Sequence, residues 1–229
     1  MEVMHFPTYQ IEPIDTLEIK EQCTGTDGLA LRQLANIVAK KDALFVEIGS
    51  WMGYSSSFLG QVAKECGGHV YCVDHWKGSP GVPHHNIDNC FEIFTHNMEV
   101  LGLSDYVHPL VMDSLTASRI FTDGIADLVF IDADHRYKQI KQDIEAWYPK
   151  VRNGGIICGH DCDAYYSTYD QHFVDCFPEE DYIVGKTRGV HPGIMKALYE
   201  YFDDKHFVMG DTTVWFVRKE IKLLKENND

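Results

Sequence analysis

Residues able to do chemistry gather at the ends of apolar runs in this sequence. Asp127-Leu128-Val129-Phe130-Ile131 leads into Asp132-Ala133-Asp134-His135, and Gly155-Ile156-Ile157-Cys158-Gly159 leads into His160-Asp161. In open α/β sheets ligands sit outside the carboxyl ends of the strands. Asp132 and Asp161 would therefore converge there with a histidine, a donor set that suits Mg²⁺ or a similar hard divalent ion. The plainer reading has Asp161 capping a turn and His160 ordering a loop. A zinc cluster of Cys158, His160 and Cys162 is disfavoured, because C-x-H-x-C is not a standard finger spacing and no second cysteine pair is near.

A second constellation lies upstream. Phe45-Val46-Glu47-Ile48-Gly49-Ser50-Trp51-Met52-Gly53-Tyr54-Ser55-Ser56 begins as an apolar run, turns on glycine and opens into a helical pattern. Glycine lets the backbone turn tightly and approach a ligand closely. The pattern E-x-G-x-x-x-G is neither the dinucleotide fingerprint nor a P-loop. Glu47 at the strand end would repel a pyrophosphate but suits a ligand with a positive end. S-adenosylmethionine (SAM), with its ammonium and sulfonium and no phosphate, is such a ligand. Gly49, Ser50, Gly53 and Ser55 are then candidate contacts. His69-Val70-Tyr71-Cys72-Val73-Asp74 follows as another short run ending in an acid. An acid roughly 20 residues past the glycine turn can accept both hydroxyls of a ribose. His75 and Trp76 come next, with Trp76 placed to cover an adenine.

The elements that must position these residues are legible from periodicity. Leu31, Leu34, Ala35 and Val38 predict a helix over 28–40, with Asp27 as its N-cap. Phe91, Phe94, Met98 and Leu101 mark another helix, ended by Gly102. Tyr106–Met112 reads as a third strand, followed by Asp113 and Ser114, where Asp113 would cap a helix over 115–121. Ile140, Ile144, Trp147, Tyr148 and Val151 share one helical face, with Asn153-Gly154-Gly155 as the cap. His191-Pro192-Gly193 opens a further helix. Lys205–Met209 and Thr213–Val217 read as two closing strands. Two segments lack regular patterning: residues 75–89, with His84 and His85 as pocket candidates, and 162–190, expected to be a lid or substrate loop. Residues 1–26 read as an N-terminal arm to a single domain spanning 1–229.

Composition narrows the partners. The 229 residues carry a formal net charge of −15, which disfavours nucleic-acid backbones and anionic membranes. Seven cysteines, an odd number without C-x-x-C, read as a reduced cytoplasmic protein. No apolar run approaches the roughly 20 residues of a membrane span, and no cleavable leader pattern opens the chain.

With Glu47 to Gly53 and Asp74, the chain resembles the class I SAM-dependent methyltransferases. Phe130 to Tyr137 is similar to the D-A-D-K-x-x-Y motif of caffeoyl-CoA-type O-methyltransferases. Asn153 to Asp161 looks closer to bacterial sugar and natural-product O-methyltransferases of the macrocin type. The resemblance implies a Rossmann-like, seven-stranded, mostly parallel sheet, with helices on both faces and an antiparallel C-terminal strand pair. It implies that Asp113 contacts the adenine amino group, with Ser114 and Asp132 beside the cofactor. It further implies Mg²⁺ ligands at Asp132, His160 and Asp161, although His160 departs from the aspartate usual there. The implied reaction is methyl transfer from SAM to a hydroxyl of a small-molecule acceptor, with Asp134 or His135 taking the proton. A homodimer is also implied. The alternatives are a metal-dependent hydroxylase or hydrolase on the same frame, and a SAM-binding module without catalysis.

Overall fold

The computed structural model describes residues 25–78, 89–185 and 188–220. The arm up to residue 24, and His84 and His85, lie outside the described residues. Alternating apolar runs and amphipathic segments form β1 (Leu44–Ile48), α2 (Tyr54–Cys66), β2 (His69–Asp74), α3 (Cys90–Val100) and β3 (Val107–Val111) after an opening α1 (Gly25–Val38). The chain continues through α4 (Ser114–Ser118), β4 (Ala126–Ile131), α5 (Tyr137–Trp147) and β5 (Val151–Gly159). It then forms α6 (Gln171–Cys176), β6 (Ile183–Val184), β7 (Gly189–Val190), α7 (Pro192–Phe202), β8 (Phe207–Val208) and β9 (Trp215–Arg218).

Seven strands make one sheet in the order β3-β2-β1-β4-β5-β9-β8. Strands β1 to β5 pair in parallel, and β9 runs antiparallel to both β5 and β8. This is the expected mostly parallel sheet with its antiparallel closing pair. The order reverses between β1 and β4, and at such a switch point the loops diverge to leave a crevice. The end of β4 flanks it, and the end of β5 lies one strand further on.

Side chains alternate between the faces of a strand, so each strand feeds two cores. Phe45, Val70, Leu128, Phe130 and Ile156 meet Leu31, Leu34, Leu59 and Phe94 on one face. Val46, Ile48, Val129, Ile131 and Ile157 meet Ile140, Ile144, Trp147, Ile194 and Leu198 on the other. Burying each of the Val, Leu, Ile and Phe side chains among these contributes roughly 1.5–3 kcal/mol against its exposed state.

Several boundaries differ from the sequence expectation, and those of α1, α5 and β5 have physical consequences. Helix α1 begins at Gly25, so Asp27 lies inside its first turn, buried, rather than capping it. Helix α5 stops at Trp147, and a 3₁₀ turn over Tyr148–Lys150 contains Pro149. Val151 therefore starts β5 instead of ending the helix, and Asn153-Gly154-Gly155 lies within the strand, where the pairing register shifts opposite Ala126 and Leu128. Proline lacks the N–H a helix needs, and Gly154 at φ +76° supplies the irregularity. The 162–190 stretch is not a structureless loop. It contains α6 and the β6–β7 hairpin, and Val174 and Val190 bury against Met195 of α7.

Candidate active site

The glycine turn is built by backbone geometry. Gly49 has φ +84°, and a Cβ there would lie 2.2 Å from the Asp132 carbonyl oxygen. Gly49 N–H donates to Val73 and Asp132 N–H donates to Ile48, so the ends of β1, β2 and β4 are locked side by side. Asp74 then gathers the turn. Its Oδ2 accepts from the backbone N–H of Ser50 (3.0 Å) and Trp51 (2.9 Å), and its Oδ1 from that of Trp76 (2.7 Å). Trp76 donates its indole N–H to the Trp51 carbonyl and packs edge-on against Phe91 and at a tilt against Phe94. His75 accepts from the Lys77 N–H.

Gly49, Trp51, Asp74, His75 and Trp76 line one side of a cavity of about 770 Å³. Asp113 and Ser114 line it from α4, and Asp132, His160 and Asp161 from β4 and β5. That volume falls within the range of small-molecule sites, roughly 300–1,000 Å³. Asp113 also caps α4 by accepting from the Thr116 N–H. Ser114 is largely committed elsewhere: it donates to Asp143 and accepts from the Trp147 indole N–H.

Glu47, Ser50, Gly53 and Ser55 stand outside the lining. Glu47 shares the strand parity of Phe45, so its side chain turns under α2 instead of leaving the strand end, and it is fully buried. Ser56 and the Cys72 thiol donate to it. Burial raises its pKa, against the lowering effect of the nearby Ser55, Ser56 and Ser50 hydroxyls. Glu47, expected to face a cationic ligand, lies beneath the turn and outside the cavity lining. Gly53 caps α2 at φ +89° where a Cβ would meet Met98 of α3.

At the other side of the cavity the structure brings Asp132, His160 and Asp161 together, with one donor atom from each within 4.8 Å of the others. Two unforeseen groups complete this corner. His191, at the start of α7, approaches Asp161, and Asp181 approaches His135 at 3.1 Å. Gly193 makes this possible: a Cβ there would lie 2.3 Å from the His135 carbonyl, so α7 seats directly on the 135–137 backbone. The sequence showed His191 only as a helix opener, with nothing linking it to the strand ends. Asp27 of α1 faces His160 from behind at 3.4 Å.

The electrostatics decide what these groups can do. Burial lowers the basicity of His135, but the approach of Asp132 and Asp181 and the charge of Asp161 outweigh it, raising its pKa to about 10. Among these carboxylates alone it holds its proton at neutral pH. His160 follows the same logic: burial opposes, Asp132, Asp161 and Asp27 prevail, and its pKa rises to about 11. Asp161 is held well below the usual carboxylate range: burial opposes ionisation, but the His160 contact and the charges of His160, His135 and His191 prevail. Asp134 is engaged by the guanidinium of Arg136 through both its oxygens. The zinc alternative does not assemble, since Cys158 is buried in the core and Cys162 faces His206 at 3.5 Å.

A parallel sheet reversing between β1 and β4, a glycine turn at that point and an acid ending β2 define a class I methyltransferase frame. Residues 46–162, about half of the sequence, match a family described as a methyltransferase domain, and the chain belongs to that family. Among curated proteins it is 25% identical over 122 residues to uncharacterized protein y4gI of Sinorhizobium fredii, covering 51% of this chain and 13% of that one. It is 29% identical over 143 residues to uncharacterized protein R132 of Acanthamoeba polyphaga mimivirus, covering 59% and 58%. The chain thus spans less than two thirds of these relatives.

Among solved structures, an O-methyltransferase from Bacillus cereus in complex with SAH aligns with a TM-score of 0.58 at 21% identity, over 86% of this chain and 83% of that one. The cofactor-bound Rv0187 from MTB aligns with a TM-score of 0.59 at 18% identity, over 90% and 86%. A putative caffeoyl-CoA O-methyltransferase from Staphylococcus aureus aligns at 0.57 and 15%, over 89% and 85%. At these identities the likeness is one of fold. Among the described residues, no helix is long and apolar enough to cross a membrane.

Proposed function

We propose that this chain transfers a methyl group from SAM to a hydroxyl of a small molecule, with a divalent cation held by Asp132, His160 and Asp161. The observation that carries this reading is that the Gly49–Asp74 turn and the Asp132–His160–Asp161 cluster open into one cavity. The Asp132 N–H is bonded to the strand that carries the turn, so the two halves are fixed in mutual register. The three donors fit a cation: two carboxylate oxygens and an imidazole nitrogen converge, and His160 is only 6% exposed.

Methyl transfer from a sulfonium is an in-line displacement. The acceptor oxygen forms the new bond to carbon, the S–CH₃ electron pair stays on sulfur, and the hydroxyl proton leaves. Positioning dominates such a reaction. Gly49 admits the cofactor against the backbone, Asp74 holds the turn while retaining one acceptor site on Oδ1 for a ribose hydroxyl, and the Trp76 ring walls that side. A cation bound at the cluster would stabilise the acceptor as an alkoxide. The hydroxyl proton is released to solvent water. The acceptor is read as a neutral or cationic hydroxyl compound of sugar or natural-product type, because the net charge of −15 and the acid-lined cavity disfavour polyanions.

Asp132→Ala is expected to abolish turnover while leaving SAM affinity, measured by titration calorimetry, close to that of the parent. Normal turnover by this variant would contradict the role given to Asp132.

A further inference from the structure

Each histidine in the cluster turns one ring nitrogen inward and has a carboxylate behind the other. His160 presents Nδ1 to Asp161 Oδ1 at 3.2 Å and Asp132 Oδ1 at 3.8 Å, with Asp27 at 3.4 Å from its Nε2. His135 presents Nε2 to Asp161 Oδ2 at 3.4 Å, with Asp181 at 3.1 Å from its Nδ1. His191 presents Nε2 to the same Asp161 Oδ2 at 3.8 Å, with Asp163 at 3.0 Å from its Nδ1. An outer carboxylate behind an imidazole is the arrangement that fixes the tautomer and orientation of a metal-ligating histidine. Both ring nitrogens of His135 are buried and face carboxylates, Asp181 on Nδ1 and Asp161 and Asp132 on Nε2.

Asp161 therefore stands between two donor sets. Its Oδ1 faces His160 beside Asp132, and its Oδ2 faces His135 and His191. In each set the donor atoms lie within 4.8 Å of one another. Asp161 itself adopts a left-handed backbone at φ +60°, uncommon for a residue with a side chain, which sends its carboxylate between the two.

We infer that His135, His191 and Asp161 hold a second divalent cation, with the Asp161 carboxylate bridging it to the one at Asp132 and His160. Two imidazoles and one carboxylate suit a nitrogen-preferring first-row ion such as Zn²⁺ over Mg²⁺. The bridging part of this inference rests on the cation position given under Proposed function, while the second donor set stands on its own residues.

The test is Zn²⁺ stoichiometry on the full chain, by equilibrium dialysis and elemental analysis. The wild type is expected to bind two equivalents, and His191→Ala and Asp132→Ala one each. One equivalent in both wild type and His191→Ala would overturn the second position and leave the first intact. An Asp132→Ala variant that keeps every wild-type equivalent would refute the first position and leave the second. No bound Zn²⁺ would overturn both. If His191→Ala fails to fold by circular dichroism, His191→Gln and His135→Gln should show the same loss of one equivalent. The visible absorption of the Co²⁺-loaded wild type should change in either variant, and an unchanged spectrum in both would also overturn the second position.

Discussion

Asp74 organises the cofactor side with a single carboxylate that accepts three backbone N–H groups. Hydrogen bonds to a charged group contribute about 1.5–3 kcal/mol each. Asp74→Ala should therefore weaken SAM binding about 10- to 150-fold and also lower the denaturation midpoint, because the turn itself loses its anchor. Calorimetric affinity equal to the parent's would remove Asp74 from the binding site. Asp143 offers a test by pH. Burial lifts its pKa to about 6, the charges of Asp134 and Asp113 add to the rise, and the Ser114 hydroxyl opposes it. The folded state holds this proton more tightly than the unfolded chain does. Stability therefore falls as pH rises from about 4 to about 6, by an amount on the order of 3 kcal/mol. Asp143→Asn should flatten that slope and be more stable than the parent at pH 8, as read by urea denaturation across pH. At this scale the sequence was partly legible. Asp132 and His160 were findable because each directly follows a buried strand, and Asp161 because it comes one residue later. Less legible were the direction of Glu47, which strand parity and not position near the strand end decides, and the pairing of Asp134 with Arg136 two residues on.

Elements set these side chains in place through a few close approaches. Helix α7 reaches the 135–137 backbone only because residue 193 has no side chain. Gly193→Ala would force the helix N-terminus away and carry His191 with it. Overpacking of this kind costs typically 1–3 kcal/mol, and the expected readout is a loss of that size in chemical denaturation. Parent-like stability would mean that the helix is not seated as described. The start of β5 was not legible, since Tyr148 and Val151 continue the helical spacing of α5 and only Pro149 breaks it. The 162–190 segment also escaped sequence reading. Its ordering comes from Val174 and Val190 meeting Met195 on α7, a long-range contact that no local period records.

The whole sheet, by contrast, was readable in advance. Buried strands read as continuous apolar runs, the helices between them show clear periodicity, and that alternation points to a parallel sheet covered by helices. The switch point between β1 and β4 then fixes where a ligand must sit, and the cavity lies there. What no sequence period could supply was the convergence of α1, α7 and the 181 region on one corner, where Asp27, His191 and Asp181 meet the strand ends. The most direct test of the proposed activity is release of S-adenosylhomocysteine from SAM over a panel of hydroxyl compounds, with added divalent cation and with EDTA. The expected result is release that requires both an acceptor and the cation. Release unaffected by EDTA would contradict the cation's role, and no release with any acceptor, together with failure to bind SAM, would contradict the methyl-transfer reading itself.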